Sequence, residues 1–142
     1  MIASAFRDDL CQEHASLLER LSGLENTIES ARGEKVAEHL RAIQDHLERH
    51  FQFEERGGYM KHVLDQAPQL HQQTQDLLAE HGQLRRQVGE LVAVASTLPH
   101  DRPLPDAFRH QVRQLLQTVR QHEARENRLV QETVNQDVGV DD

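Results

Sequence analysis

Four stretches of the chain carry apolar residues at alternating spacings of four and three, the repeat of a helix face turned toward a bundle core. In the first, Phe6, Leu10, Leu17, Leu21, Leu24 and Ile28 keep this spacing, with His14 standing where another apolar residue is expected. In the second, Val36, Leu40, Ile43 and Leu47 are followed in register by His50 and Glu54. The third runs through Leu70, Thr74, Leu77, His81, Leu84, Val88 and Leu91. The fourth comprises Phe108, Val112, Leu115, Val119, His122, Glu126 and Leu129. Each predicted helix therefore places an ionisable side chain on its core face.

The punctuation between the stripes agrees with four helices. "ESARGEK" supplies Ser30 and Gly33 for a turn, and Gly57 with Gly58 gives the second helix a C-terminal stop. "YMKHVLDQAP" is a connection with room for a short helical turn, and Pro68 suits the first turn of the third helix. "STLPHDRPLPD" concentrates Pro99, Pro103 and Pro105 and is a loop. Short connections favour antiparallel neighbours, so the expected fold is all-α, an up-down-up-down four-helix bundle over residues 1–134. The polar stretch "NQDVGVDD", residues 135–142, is expected to be a C-terminal tail.

Composition narrows the picture without changing it. A length of 142 residues suits one domain, and 4% aromatic residues with no Trp fit helices better than a β-sandwich. The net charge of −8, with Arg interleaved among Glu, leaves no basic face for nucleic acid or an anionic membrane. Cys11 is the single cysteine, which excludes an internal disulfide and is expected to pack as a small core residue. The opening "MIASAFRDDLC" lacks a secretion-signal layout and no apolar run approaches membrane-spanning length, so the cytoplasm is the expected compartment.

Helical rise tests whether the polar core positions meet. His14 lies about 17 residues before the first turn and His50 about 18 after it, which puts them at one level. His81 lies about 19 residues before the centre of the proline loop and His122 about 22 after it, with several of those residues spent in the loop. Glu54 and Glu126 each follow their histidine by one turn on the same face. Six positions, His14, His50, Glu54, His81, His122 and Glu126, thus converge in one layer. Such a buried layer needs a bound cation. Imidazole and carboxylate donors without thiolate suit iron or manganese better than a structural zinc site, although zinc can substitute. Carboxylates on diagonal helices can bridge two ions and leave coordination positions open.

The segments "QEHASLL", "RHFQFEE", "AEHGQLR" and "QHEARE" give the chain a resemblance to the hemerythrin-like cation-binding domain, a four-helix bundle with an oxo- or hydroxo-bridged di-iron centre. The resemblance runs from His14 to about Glu126. It implies that His14, His50, His81 and His122 are terminal iron ligands and that Glu54 and Glu126 are bridging carboxylates. The third helix departs from the oxygen carriers, which place two histidines one turn apart; here Leu77 and Arg85 flank His81 at that distance. The His122 to Glu126 spacing of four is similar to that of the iron-sulfur-repair and F-box iron-sensor relatives. Both features favour an open centre that binds or senses oxygen, nitric oxide, peroxide or iron.

Two other functional readings remain open on the sequence: an enzyme turning over peroxide or nitric oxide, and a metal-stabilised interaction bundle holding zinc. The first needs proton delivery, for which His46, one turn before His50, and Tyr59 are the candidates; otherwise His46 is surface and Tyr59 a capping aromatic. Glu13, Glu80 and Glu123 adjoin ligand positions in sequence and are expected at the surface. His39, His62, His71, His100 and His110 are expected to face solvent.

Overall fold

In the computed structural model the described residues are 2–30, 32–56, 60, 63, 65 and 67–141, with side chains described from 11 to 133 of these. Gly57, Gly58, Tyr59 and His62 lie outside the described residues, as do the side chains of Phe6 and Leu10.

Four long helices form: α1 (Ile2–Thr27), α2 (Gly33–Arg56), α3 (His71–Thr97) and α4 (Asp106–Asp141). A 3-10 turn, Pro68–Leu70, begins on the proline and runs straight into α3. The backbone of α4 stays helical through the polar stretch 135–141. Among the described residues no helix is long and apolar enough to cross a membrane.

The helices close a ring of contacts in chain order, α1 with α2, α2 with α3, α3 with α4, and α4 back to α1. Paired residues run in opposite senses along neighbours. His14 meets His50 and Arg20 meets His46 across α1 and α2. His81 meets Glu55 and Arg85 meets Glu48 across α2 and α3. His14 meets Asn127 and Glu25 meets Arg120 across α1 and α4. This is the antiparallel bundle expected from the stripes, and every stripe position whose side chain is described is buried.

At one end the two turns lock together. Arg32 pairs with Pro103 in an isolated bridge and donates from Nη1 to the carbonyl of Asp101 at 2.8 Å. Gly33 sits so close to the proline loop that an added Cβ would stand 2.9 Å from the carbonyl oxygen of Pro99.

The interior divides into two apolar regions. The larger extends from this locked end to Leu17, Leu47, Phe51, Leu84 and Val119. The smaller gathers Met60, Val63, Ala67, Leu70, Leu77, Leu129 and Val130 at the opposite end. Between them lies the layer of polar core residues.

Candidate metal centre

His14, His50, His81 and His122 arrive one from each helix, and all are buried. They fall at one level because the antiparallel helices set residues equidistant from the turns side by side. His14 and His50 meet edge to face with ring centroids 4.8 Å apart, as do His81 and His122 at 5.2 Å. The four imidazoles thus form two pairs.

Glu126 joins the pairs. Its Oε2 lies 3.1 Å from Nε2 of His14 and 3.4 Å from Nε2 of His50. Its Oε1 lies 2.5 Å from Nε2 of His122 and 3.3 Å from Nε2 of His81. Glu54, on the diagonally opposite helix, brings Oε1 to 2.6 Å from Nε2 of His50 and 3.9 Å from Nε2 of His81. All six residues singled out in the sequence come together, and every imidazole turns Nε2 inward.

For His14, His81 and His122 the outward Nδ1 atom explains that orientation, whereas Nδ1 of His50 makes no hydrogen bond. Nδ1 of His81 faces Glu55 Oε2 at 2.7 Å and Nδ1 of His122 faces Glu80 Oε1 at 2.9 Å. Nδ1 of His14 faces the amide oxygen of Asn127 at 2.6 Å. A carboxylate or amide oxygen only accepts, so these nitrogens donate and the proton of a neutral ring stays on Nδ1. The Nε2 lone pair is thereby aimed at the centre. Arg85 grips Glu55 and Glu48, with Nη2 3.0 Å from Glu55 Oε1, and Arg125 grips Glu80. Arg85 stands one turn after His81, at one of the two flanking positions where the resemblance to oxygen carriers implies a second histidine.

Three acidic residues expected at the surface behave differently. Glu123 is 1% exposed, with Oε2 2.5 Å from Nε2 of His14 and 3.5 Å from Nε2 of His50. Glu80 is partly buried beneath Arg125, and Glu13 lies against His46 with Oε1 2.8 Å from Nε2. The sequence does hold a signal for Glu123, because Leu116 and Val130, two turns away on either side, are also buried. Together they make a second inward row beside the row of Val119, His122 and Glu126.

His46 is buried, not solvated, but its ring nitrogens are occupied by Glu13 and by Arg20, whose Nε donates to Nδ1 at 3.1 Å. Cys11 is exposed, against the expected core position. It directly follows the stripe position Leu10, and adjacent helical positions point apart. His71, His100 and His110 are exposed as expected and His39 is partly so.

Packing these charges together shifts their protonation strongly. Burial alone would lower His14 and His50, but the carboxylates of Glu123 and Glu126, joined by Glu54 at His50, outweigh it and hold them at about 10 and about 12. Burial and the neighbouring Glu126 push Glu54 well above the usual carboxylate range. Burial also opposes ionisation of Glu126, yet the imidazoles of His122, His14, His50 and His81 gathered around its two oxygens hold it well below that range.

Protonation still leaves buried polar atoms without hydrogen-bond partners. Nε2 of His122, both oxygens of Glu54 and both of Glu123 make no directed hydrogen bond, although ion-pair partners lie close by. Buried polar atoms in this condition are costly. His14, His50, Glu123 and Glu126 each offer one donor atom within 4.8 Å of the others, as do His81, His122 and Glu126. A cation placed among them would satisfy what the protein atoms do not satisfy among themselves, so the donor set fits a metal.

Comparison with curated proteins and with solved structures gives no match. The family model of the hemerythrin HHE cation binding domain matches residues 6–134, a span that includes all four histidines and all three buried glutamates. The buried cluster fits the cation binding that describes this family, and the chain is a member of the hemerythrin HHE cation-binding domain family.

Proposed function

We propose that the bundle holds two iron ions, one by His14 and His50 and the other by His81 and His122, with Glu126 and Glu54 between them, and that this centre binds or senses a small ligand. The division of the two Glu126 oxygens between the two histidine pairs carries the reading. A bound iron pair supplies redox electrons and Lewis acidity.

The protein's own part is to orient and to exclude water. Glu55 and Glu80 hold His81 and His122 by their Nδ1 protons, and Asn127 holds His14. Leu17, Leu47, Leu77 and Val119 are buried around the layer and supply apolar walls. Oxygen, nitric oxide and peroxide are all small, and the first two are weakly solvated, so they suit a dry core that rejects larger polar ligands.

Binding or sensing is favoured over turnover because His46, the candidate for proton delivery, is engaged by Arg20 and Glu13 and not by the cluster. Manganese or zinc fits the same donors, and a zinc-loaded bundle would be colourless.

The test is anaerobic loading with ferrous iron, metal analysis, and a visible spectrum recorded before and after air is admitted. Two irons per chain and a charge-transfer absorption altered by azide or nitric oxide are expected. A chain that retains zinc in preference to iron and develops no visible absorption would overturn the proposal in favour of a structural bundle.

A further inference from the structure

Three glutamates are buried among the described residues: Glu54, Glu126 and Glu123. The third is not among the six positions of the four stripes. We propose that Glu123 is a direct ligand of the ion held by His14 and His50, so that the two ions have unequal donor sets and the open coordination position lies on the His81 and His122 side. The proposal rests on the two-ion reading above.

Position comes first. Glu123 Oε2 is 2.5 Å from Nε2 of His14 and 3.5 Å from Nε2 of His50, the same two nitrogens that face Glu126 Oε2. All four donors are buried and lie within 4.8 Å of one another. A separation of three residues puts Glu123 and Glu126 on adjoining rows of α4, so both carboxylates reach the layer from one helix.

Charge balance makes the same assignment. The ion pairs of Glu123 are with His14 and His50. The described arginines near this layer are committed elsewhere, Arg85 to Glu48 and Glu55, Arg125 to Glu80, and Arg120 to Glu25. An imidazole that gives its Nε2 lone pair to a metal carries no proton there. With His14 and His50 so engaged, the carboxylate of Glu123 would be a buried anion with no protein cation, a strongly unfavourable state. Coordination to the ion removes that cost. Both Glu123 oxygens lack a directed hydrogen bond and remain free to give it.

The inequality then follows from the donor lists. The His14 side gathers His14, His50, Glu123 and Glu126, with Glu54 2.6 Å from His50. The His81 side gathers His81, His122 and Glu126, with Glu54 at 3.9 Å. One turn before His81 stands Leu77, buried and apolar, where no donor can be supplied.

Cobalt(II) is the probe, because its visible absorption reports coordination without oxygen chemistry. The parent chain is expected to take two ions. Glu123→Gln, with an unchanged circular dichroism spectrum, is expected to hold one ion as before and the other at least tenfold more weakly. Glu123→Ala should behave alike and recover the second ion in acetate, which a loss of mere ion pairing would not do. Parental affinity and spectrum in both variants would overturn the proposal while leaving the two-ion reading intact. A parent that binds fewer than two ions would overturn both. Should neither variant fold, proton spectra of the cobalt-loaded parent decide: contact-shifted γ-methylene signals from three glutamates are expected, and from two would refute it.

Discussion

Phe51 lies flat against His81, with ring centroids 4.0 Å apart and planes 13° from parallel. The same ring meets His122 edge on at 5.9 Å, and the guanidinium of Arg85 stands 5.3 Å from its centroid. Phe51 is completely buried, so it fixes the plane of one imidazole while filling the core beside a second. Phe51→Ala should therefore lower the stability of the metal-free chain by about 3–5 kcal/mol. Phe51→Leu, which fills more of the space, should cost less. Denaturant titrations with an unchanged slope would measure both, and an alanine variant as stable as the parent would contradict this packing.

The carboxylates behind His81 and His122 should matter more to the metal than to the fold. Glu55 and Arg85 are each about one-third exposed, at 31% and 34% of their side chains, so their ion pair contributes under about 1 kcal/mol. Burial works against ionisation of Glu55, but Arg85 and His81 prevail and hold its carboxyl below the usual range. It therefore presents an anion to Nδ1 of His81, which makes the imidazole a stronger donor. Glu55→Gln should weaken metal binding by roughly 10- to 100-fold with little change in the denaturation midpoint of the metal-free chain. Competition against a chelator of known affinity measures the first effect. Equal affinities in parent and variant would assign Glu55 to the surface network alone.

The sequence reveals most of this because the apolar core positions and the buried His and Glu positions form one pattern. A helix that keeps its spacing while replacing Leu with His at position 14, 50, 81 or 122 declares both its inward face and its chemistry, and the turns fix the level. What it conceals lies beside the stripe. Glu123 is next to His122 in sequence, and adjacent helical positions ordinarily diverge; it is buried because α4 presents a face wide enough for a second inward row through Leu116 and Val130. Glu55 and Glu80 reach His81 and His122 on neighbouring helices, and a single-helix pattern contains no such pairings. His46 is buried by Arg20 and Glu13 of α1, again a contact between helices.

Two glycines should respond in opposite directions to the same change. Gly33 opens α2 against the proline loop, where a methyl group would meet the Pro99 carbonyl oxygen at 2.9 Å and Leu98 Cβ at 3.4 Å. Gly33→Ala must push the two turns apart and should cost about 1–3 kcal/mol. Gly82 lies in the middle of α3, and a Cβ there meets nothing within 4 Å. Gly82→Ala should stabilise the chain by roughly 0.5–1 kcal/mol through helix propensity and a smaller loss of backbone freedom on folding. Melting temperatures that moved in the same direction for both variants would refute the close approach of the turns.

Metal uptake should expel protons. With His14 held at about 10 and His50 at about 12, both imidazoles are charged at pH 7 in the metal-free chain. Their folded values lie above the ordinary 6.5, so their stabilising contribution is complete below pH 6.5 and disappears as pH rises through the folded values. Glu123 has the opposite sign: burial opposes its charge, but His14 and His50 hold it below 4.5, so its contribution is complete above pH 4.5 and lost as pH falls through its lowered value. Ligation requires both imidazoles neutral, and the ion they hold must displace the protons that hold this network together. Binding at pH 7 should release about two protons, from His14 and His50. Affinity should therefore rise steeply with pH. Calorimetry in two buffers of different ionisation enthalpy counts the protons directly, and a binding heat independent of the buffer would show that the imidazoles enter the site already neutral.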